Sequence, residues 1–258
     1  MTNALMTMDQ GVLLIPCYNE APRIGRVVDG IRHHIPVSNI AVIDDASSDQ
    51  TTAIAHGMGA KVLTHATNLG YGAALETGYR YAQQAGCLWL AQMDGDGQHL
   101  PSELPRIVEP VRAGKADIVI GSRYRNDGTA SGWQGSALRR TGHRVFSEII
   151  FRLTGQRFLD PTSGFQAMNR PAFTFFTSGI FPCDYPDSDV IVMALRAGLR
   201  ILEVPVTMLP RSGGVSMHAG LKPLYYSIKM LFSLFLVVLN DRNWKDYANT
   251  HHAGTQPT

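Results

Sequence analysis

Residues 93–99, Met-Asp-Gly-Asp-Gly-Gln-His, set two carboxylates one glycine apart, just after the apolar run Leu88-Trp89-Leu90-Ala91. Like charges held that close cost free energy unless a cation lies between them. Asp94 and Asp96 make sense around a divalent cation that also bridges a diphosphate. Hard oxygen ligands suit Mg2+ or Mn2+, and phosphate oxygens and water commonly complete such a shell. Gly95 allows a tight turn and close approach of a ligand to backbone, and Gln98 and His99 add two more polar side chains. A plain polar turn is the alternative.

A second polar cluster, Asp44-Asp45-Ala46-Ser47-Ser48-Asp49, follows Asn39–Ile43. Its carboxylates suit hydrogen bonds from a nucleoside base or ribose, while Ser47 or Asp49 suits the cap of a following helix. Seven arginines fall within 121–158 against only Asp127 and Glu148, an excess that fits an anionic partner or a solvated helix face.

Several chemistries fit poorly. The first apolar run leads into Pro16-Cys17-Tyr18-Asn19 rather than a glycine fingerprint, which disfavours a dehydrogenase. The stretch 68–82, NLGYGAALETGYRYA, matches neither glycine-rich phosphate motif and is expected to be a tightly packed helix. Two carboxylates of one turn do not flank a sugar as a glycosidase requires.

These groups need a frame. Buried strands are expected at 11–16, 39–44, 60–65, 87–93 and 116–121, with helical stretches near 20–34, 49–57, 70–85 and 102–113. Alternation of this kind predicts a mostly parallel sheet with helices on both faces. Ligands of such sheets bind beyond the carboxyl ends of the strands. PCYNEA, DDASSDQT, DGDGQH and GSRYR all fall at that edge.

The chain has 258 residues, 45% hydrophobic and 17% charged, with a formal net charge of +2. This describes a folded globular protein with length for one large domain. Cys17, Cys87 and Cys183 have no metal-ligand spacing, which points to a reducing compartment. No signal peptide is expected. The apolar run near 224–239 contains Lys229 and falls short of the ~20 residues that span a bilayer.

Seven stretches taken in order carry a resemblance: LLIPCYNEAPRI, VIDDASSDQT, NLGYGAALETG, MDGDGQH, IVIGSRY, DPTSGFQAMNR and EVPVTMLPRSGGVS, over residues 11–220. Together they resemble family 2 glycosyltransferases of the GT-A fold, in the branch of dolichyl-phosphate mannose synthase-like and polyprenyl-phosphate sugar transferases. The resemblance implies an α/β, Rossmann-like fold with a mixed, mostly parallel sheet. It also implies inverting transfer from a UDP- or GDP-linked sugar to a polyprenyl phosphate in cell-envelope biogenesis. A hydroxyl acceptor and a catalytically silent nucleotide-sugar binder are the alternatives.

By the same resemblance, Pro16, Tyr18 and Glu20 line the nucleotide pocket, with Asp45 or Asp44 on base or ribose. Asp94 and Gly95 touch the donor, and Asp96 is the main Mg2+ or Mn2+ ligand, helped by Asp94 and Gln98. Arg123 faces donor phosphate or sugar. Arg211 and Ser216 sit on a loop closing over the diphosphate, and Arg139 and Arg140 hold the acceptor phosphate. The synthases often carry Lys after the loop serine, where this chain has Met217 and His218, which puts one phosphate contact in doubt. Asp184, Asp187 and Asp189 stand where relatives with hydroxyl acceptors place a base, with Asp187 the candidate. Acidic starts of a helix read the same way.

The expected organisation is a transferase domain over 1–220, a membrane-interface helix over 221–240 and a polar, disordered tail over 241–258. Lys222, Tyr225, Tyr226 and Lys229 suit lipid headgroups while Leu, Phe and Val enter the acyl boundary. Helix 136–154, with Arg139, Arg140 and Arg144 beside Val145, Phe146, Ile149 and Ile150, forms the second half of that surface. The expected location is the cytosolic face of a membrane, peripherally bound, with nucleotide sugar and lipid acceptor as partners and no nucleic acid. A homo-oligomer interface is the alternative use of the apolar helix.

Overall fold

The computed structural model describes residues 9–124, 137–182, 186–209 and 222–239, with side chains of the helices at 137–154 and 222–239 described from 144 and 229 onward. Strands β1 (Gly11–Cys17), β2 (Ile40–Asp44), β3 (Lys61–Thr64), β4 (Trp89–Gln92), β5 (Ile118–Ser122), β6 (Gln166–Asn169) and β7 (Ile201–Pro205) form one sheet in the order β3-β2-β1-β4-β6-β5-β7. Only β6 is antiparallel to its neighbours β4 and β5. All other pairs are parallel, so the carboxyl ends of β1, β2, β4 and β5 share one edge. The GT-A-like, mostly parallel sheet expected from sequence is what forms.

The helices are α1 (Ala21–Arg32), α2 (Thr51–Gly57), α3 (Tyr71–Gln84), α4 (Leu104–Arg112), α5 (Ala137–Thr154), α6 (Arg170–Phe176), α7 (Ser188–Arg196) and α8 (Lys222–Leu239). Alternating side chains of β1 divide the core in two. Leu13 and Ile15 join Ile24, Val28 and Ile31 of α1 and Ile107 and Val108 of α4 on one face. Val12 and Leu14 join Leu75 and Tyr79 of α3, Phe173 and Phe176 of α6 and Val192 of α7 on the other. Burial on both faces explains why β1, β2 and β4 read as continuous apolar runs.

Helix α3 lies directly on the sheet. A Cβ at Gly78 would stand 2.8 Å from Leu14 Cδ1 and 3.4 Å from Ile43, so its small residues serve packing, as expected. One strand expectation needs correction. β3 was expected to be buried, but it is the sheet's edge, with Lys61 and Thr64 exposed, because no strand covers its outer side.

Helix α8 has two faces. Met230, Leu234 and Val237 join the core beside α7, while Leu231, Phe232, Phe235, Leu236 and Leu239 are exposed. Among the described residues no helix is long and apolar enough to cross a membrane.

Candidate active site

The loops after β1 and β2 are laced together. Asn19 N–H donates to Ser47 Oγ (2.8 Å), Ser48 N–H to Asn19 Oδ1 (2.9 Å) and Glu20 N–H to Thr51 Oγ1 (2.8 Å). Asn19 and Ala46 take positive φ of 54° and 60° to make these turns. The expected side-chain cap differs. Gln50 holds the N-cap position of α2 without a side-chain bond, while Asp49 accepts the Thr51 amide at 2.9 Å and the Ala21 amide at 3.1 Å. Burial pushes the Asp49 carboxyl up, but the Thr51 hydroxyl and then the Thr51 and Ala21 amides outweigh it and hold the pKa below its ordinary value.

Pro16 is buried near the end of β1, Tyr18 is exposed beyond it, and Glu20 pairs with Arg23 at 2.5 Å. Asp44 accepts from the hydroxyls of Ser47 and Thr52. Asp45 is saturated differently: Oδ1 meets His65 Nδ1 at 2.7 Å and the Leu69 amide at 2.8 Å, and Oδ2 accepts the Gly70 amide at 2.8 Å. His65 reaches onward to Thr77 Oγ1 at 2.8 Å. Both aspartates are buried, and their bonds tie together the segments that follow β2 and β3.

After β4, the Asp94–His99 turn is tied to the segment behind β7. Leu209 N–H donates to Gln98 O (2.8 Å), Gln98 Nε2 donates to Leu209 O (3.2 Å), and His99 bridges to Met208. Asp96 Oδ1 accepts the Gln98 amide at 3.1 Å, curling the turn on itself. Asp94 Oδ1 accepts from Tyr71 Oη at 2.9 Å. His99 Nδ1 accepts the Asp94 amide at 3.1 Å, which leaves the neutral ring's proton on Nε2, 3.8 Å from Asp94 Oδ2. Burial of this ring, stacked on Phe165 at 4.9 Å, lowers its pKa to about 4 although Asp96 pulls the other way. His99 is therefore a neutral hydrogen-bonding support at neutral pH. Cys17, beneath Gly95, is equally inert as a thiolate, because burial and nearby carboxylates raise its pKa well above the usual range.

The oxygen donors of Asp94, Asp96 and Gln98 fit Mg2+ or Mn2+. Gln98 engages its amide nitrogen with Leu209, so its carbonyl oxygen is the donor it has to offer. Among the described residues no three His, Cys, Asp or Glu side chains converge as a closed cage. A cation at this turn would therefore draw on the two carboxylates and complete its shell from ligand and water, a common arrangement for Mg2+.

Across the edge, Arg123 follows β5. Its Nε donates to Asp160 Oδ2 (2.7 Å) and Nη2 to Oδ1 (2.8 Å), and its backbone N–H also meets Oδ2 (3.0 Å). Burial opposes the guanidinium's charge, but Asp160 outweighs it and raises the Arg123 pKa. Glu203 of β7 then accepts the amides of Leu159 (2.9 Å) and Asp160 (2.6 Å). Burial raises the Glu203 pKa, with those amides and Ser122 acting against it.

The base candidates separate. Asp189 is buried, accepts the Asp187 and Val190 amides at 3.1 and 2.9 Å, and takes the Ser233 hydroxyl of α8. Burial raises its pKa, and its place is between two helices. Asp187 stands at the N-cap of α7 without a capping bond, lining a cavity with Tyr79, Gln92 and Gln166, and its charge reaches Tyr71. Asp184, Arg211 and Ser216, and the side chains of Arg139 and Arg140, lie outside the described residues.

The structure thus brings the Asp44–Asp45, Asp94–Gln98 and Arg123 groups to one edge. Asp160, Glu203, Tyr71, His65 and Gly164 are additions that sequence reasoning missed. DPTSGF, which holds Asp160 and Gly164, carried resemblance but no assigned role.

Residues 12–175 match the family described as Glycosyl transferase family 2. The chain is 32% identical over 219 residues to the polyprenol monophosphomannose synthase of Mycolicibacterium smegmatis, covering 81% of both chains. It is 32% identical over 220 residues to the undecaprenyl-phosphate mannosyltransferase of Micrococcus luteus, covering 80% of this chain and 86% of that one. Among solved structures, glucosyl-3-phosphoglycerate synthase of Mycobacterium tuberculosis with Mn2+, UDP-glucose and phosphoglyceric acid aligns with a TM-score of 0.67 at 20% identity, over 88% of this chain and 79% of that one. That likeness shows the fold. With the family match spanning more than half the chain, the protein belongs to glycosyl transferase family 2 and is a glycosyltransferase.

Proposed function

We propose that the protein transfers a sugar from a UDP- or GDP-linked donor to a polyprenyl phosphate, with inversion, at the cytosolic face of a membrane. The observation that carries this reading is the meeting at one sheet edge of the Asp94–Asp96 turn and the Asp160-held Arg123. Relatives at 32% identity are named for polyprenol and undecaprenyl phosphate.

Breaking the bond between the anomeric carbon and the diphosphate leaves negative charge on the departing oxygen. Charge fixed in place before the reaction lowers that barrier most. Arg123, held on two atoms by Asp160, is such a fixed charge, and Asp94 and Asp96 would hold Mg2+ or Mn2+ with Gln98. When bound, that metal supplies Lewis-acid stabilisation of the diphosphate. Asp44 and Asp45 shape the nucleoside end of the pocket. A phosphate acceptor is already an anion and attacks without a base. Arg139 and Arg140 are assigned to bind it, and the Arg211–Ser216 segment to cover the diphosphate.

Residues 1–220 form the transfer unit in this reading and 221–240 the interfacial helix. The exposed Leu231, Phe232, Phe235, Leu236 and Leu239 support a lipid-facing side of α8, with exposed Val145 and Phe151 of α5 as a second patch, whereas Phe146 and Ile150, expected on that patch, are core and Ile149 packs against it. A hydroxyl acceptor is the second reading, favoured by Asp187 at the cavity beside Tyr71.

The test is transfer from labelled UDP-, GDP- and dTDP-sugars to undecaprenyl or dolichyl phosphate, with and without EDTA. Asp96→Asn is expected to abolish transfer in a folded protein, since loss of a charged ligand costs several kcal/mol of transition-state stabilisation. Full activity in EDTA or in that variant would sink the metal assignment.

A further inference from the structure

Asp96 Oδ1 accepts the Gln98 amide of its own turn at 3.1 Å. Asp94 is gripped by distant segments. Tyr71, the first residue of α3, donates its hydroxyl to Oδ1 at 2.9 Å from 23 positions away. Gly164, in the loop before β6, lies flat against the same carboxylate. A Cβ there would fall 2.8 Å from Asp94 Oδ2, 2.9 Å from Oδ1 and 2.9 Å from Tyr71 Oη. No real Cβ tolerates those distances. Gly164 therefore leaves the space in which the Tyr71–Asp94 pair fits.

We infer that Tyr71 and Gly164 are positioning residues for Asp94, fixing the orientation of that carboxylate toward donor and metal. The inference rests on the proposed donor site and adds two residues to it.

The physics favours a fixed carboxylate. An aspartate at the surface turns freely about its side-chain bonds, and binding must then remove that freedom. Asp94 is about one-third exposed at 34%, so burial alone does not immobilise it. The Tyr71 hydroxyl bond on Oδ1 and the backbone of Gly164, packed close to both oxygens, restrict how it can turn. The structural alternative is that Tyr71 only pins the start of α3 to β4. The two readings separate experimentally, because a pin affects stability whereas a positioning residue affects binding and rate through Asp94 alone.

The experiment uses full-length protein and four variants: Tyr71→Phe, Gly164→Ala, Asp94→Asn and the double Tyr71→Phe/Asp94→Asn. Transfer rates are measured beside Mn2+ binding with UDP or GDP, read by the loss of the free Mn2+ EPR signal. Tyr71→Phe removes one hydrogen bond to a charged group and is expected to lower kcat about tenfold and weaken Mn2+ binding severalfold. Acceptor KM and melting temperature should hardly move. Gly164→Ala, which displaces the carboxylate, should lose more than Tyr71→Phe. The double variant should be no worse than Asp94→Asn alone, since residues acting through one group are not additive.

Tyr71→Phe with wild-type rate and Mn2+ binding overturns the inference, as does a double variant whose losses multiply. If Gly164→Ala fails to fold, the Tyr71 arms still decide. A wild type that binds Mn2+ with nucleotide but does not glycosylate polyprenyl phosphate counts against the acceptor reading alone, because the Mn2+ arm still reads Tyr71. A wild type that binds neither overturns both.

Discussion

Asp160 is wholly buried and meets the guanidinium of Arg123 with both carboxylate oxygens, at 2.7 Å from Nε and 2.8 Å from Nη2. Such fork-to-fork pairing fixes direction as well as charge. Asp160→Asn leaves Arg123 without its counter-charge and is expected to cost about 3–5 kcal/mol of stability. Arg123→Lys cannot reproduce the two-point contact and should also lose activity. Denaturant unfolding beside initial rates checks both. A stable, fully active Asp160→Asn would show that the pair is ornamental.

The acceptor is decided by comparing two sets of charges. Arg139→Ala and Arg140→Ala are expected to raise the acceptor concentration required, with donor affinity hardly changed. Asp187→Asn should keep most activity, since a phosphate nucleophile needs no deprotonation. Initial rates with undecaprenyl or dolichyl phosphate, with donor binding measured separately, distinguish the readings. A dead Asp187→Asn with normal donor binding and active arginine variants would make the acceptor a hydroxyl. Asp189→Asn is a different case, because that carboxylate holds Ser233 and the Asp187 amide and its loss should appear first as lowered stability.

Membrane attachment can be tested without disturbing the core. Phe232 and Phe235 are 60% and 57% exposed, so replacing both with Glu should leave the fold intact. Losing two aromatic side chains from a lipid surface is worth about 1.5–3 kcal/mol each, so binding to anionic liposomes should fall at least tenfold. Unchanged co-sedimentation would overturn the lipid-facing assignment of α8.

Stability should also depend on acid through Asp117. Burial raises its pKa, but hydrogen bonds from the Arg200 side chain and amide and from Asn169 outweigh burial and hold the pKa below normal. A depressed folded pKa contributes stability above the unfolded value of ~3.9, lost as pH falls through the folded value. Asp117→Asn should therefore be less stable than wild type at pH 7 by about 1 kcal/mol, a modest figure because Arg200 is largely exposed. The difference should shrink below pH ~4. Denaturant titrations at the two pH values check this.

Much of the frame was legible because the central strands are buried on both faces. GVLLIP, NIAVID and ADIVIG could hardly be anything but inner strands. Gln166–Asn169 escaped notice because four residues, half of them polar, carry no period, and its antiparallel pairing depends on β4 and β5. The edge character of β3 was invisible for a related reason, since burial belongs to the sheet order rather than to the strand. In the site, the aspartates announced themselves by crowding. Their supports did not: Asp160 lies 37 positions from Arg123 and Glu203 another 43 beyond Asp160, distances over which spacing carries no signal. Tyr71 was hidden in a stretch whose small neighbours pointed only to packing.

The one-sided burial of α8 would limit how the protein sits on lipid. Its inner face, Met230, Leu234 and Val237, is core, so only the outer half of the cylinder is available to the bilayer. A helix about 10 Å across that wets one half reaches roughly 5 Å into the headgroup boundary and no deeper. On the proposed reading the enzyme floats like a shallow hull, its draught fixed by Ser233 and Asp189 joining α8 to α7. A polyprenyl phosphate bound by an enzyme seated this way would keep its tail in the membrane while its phosphate reacts.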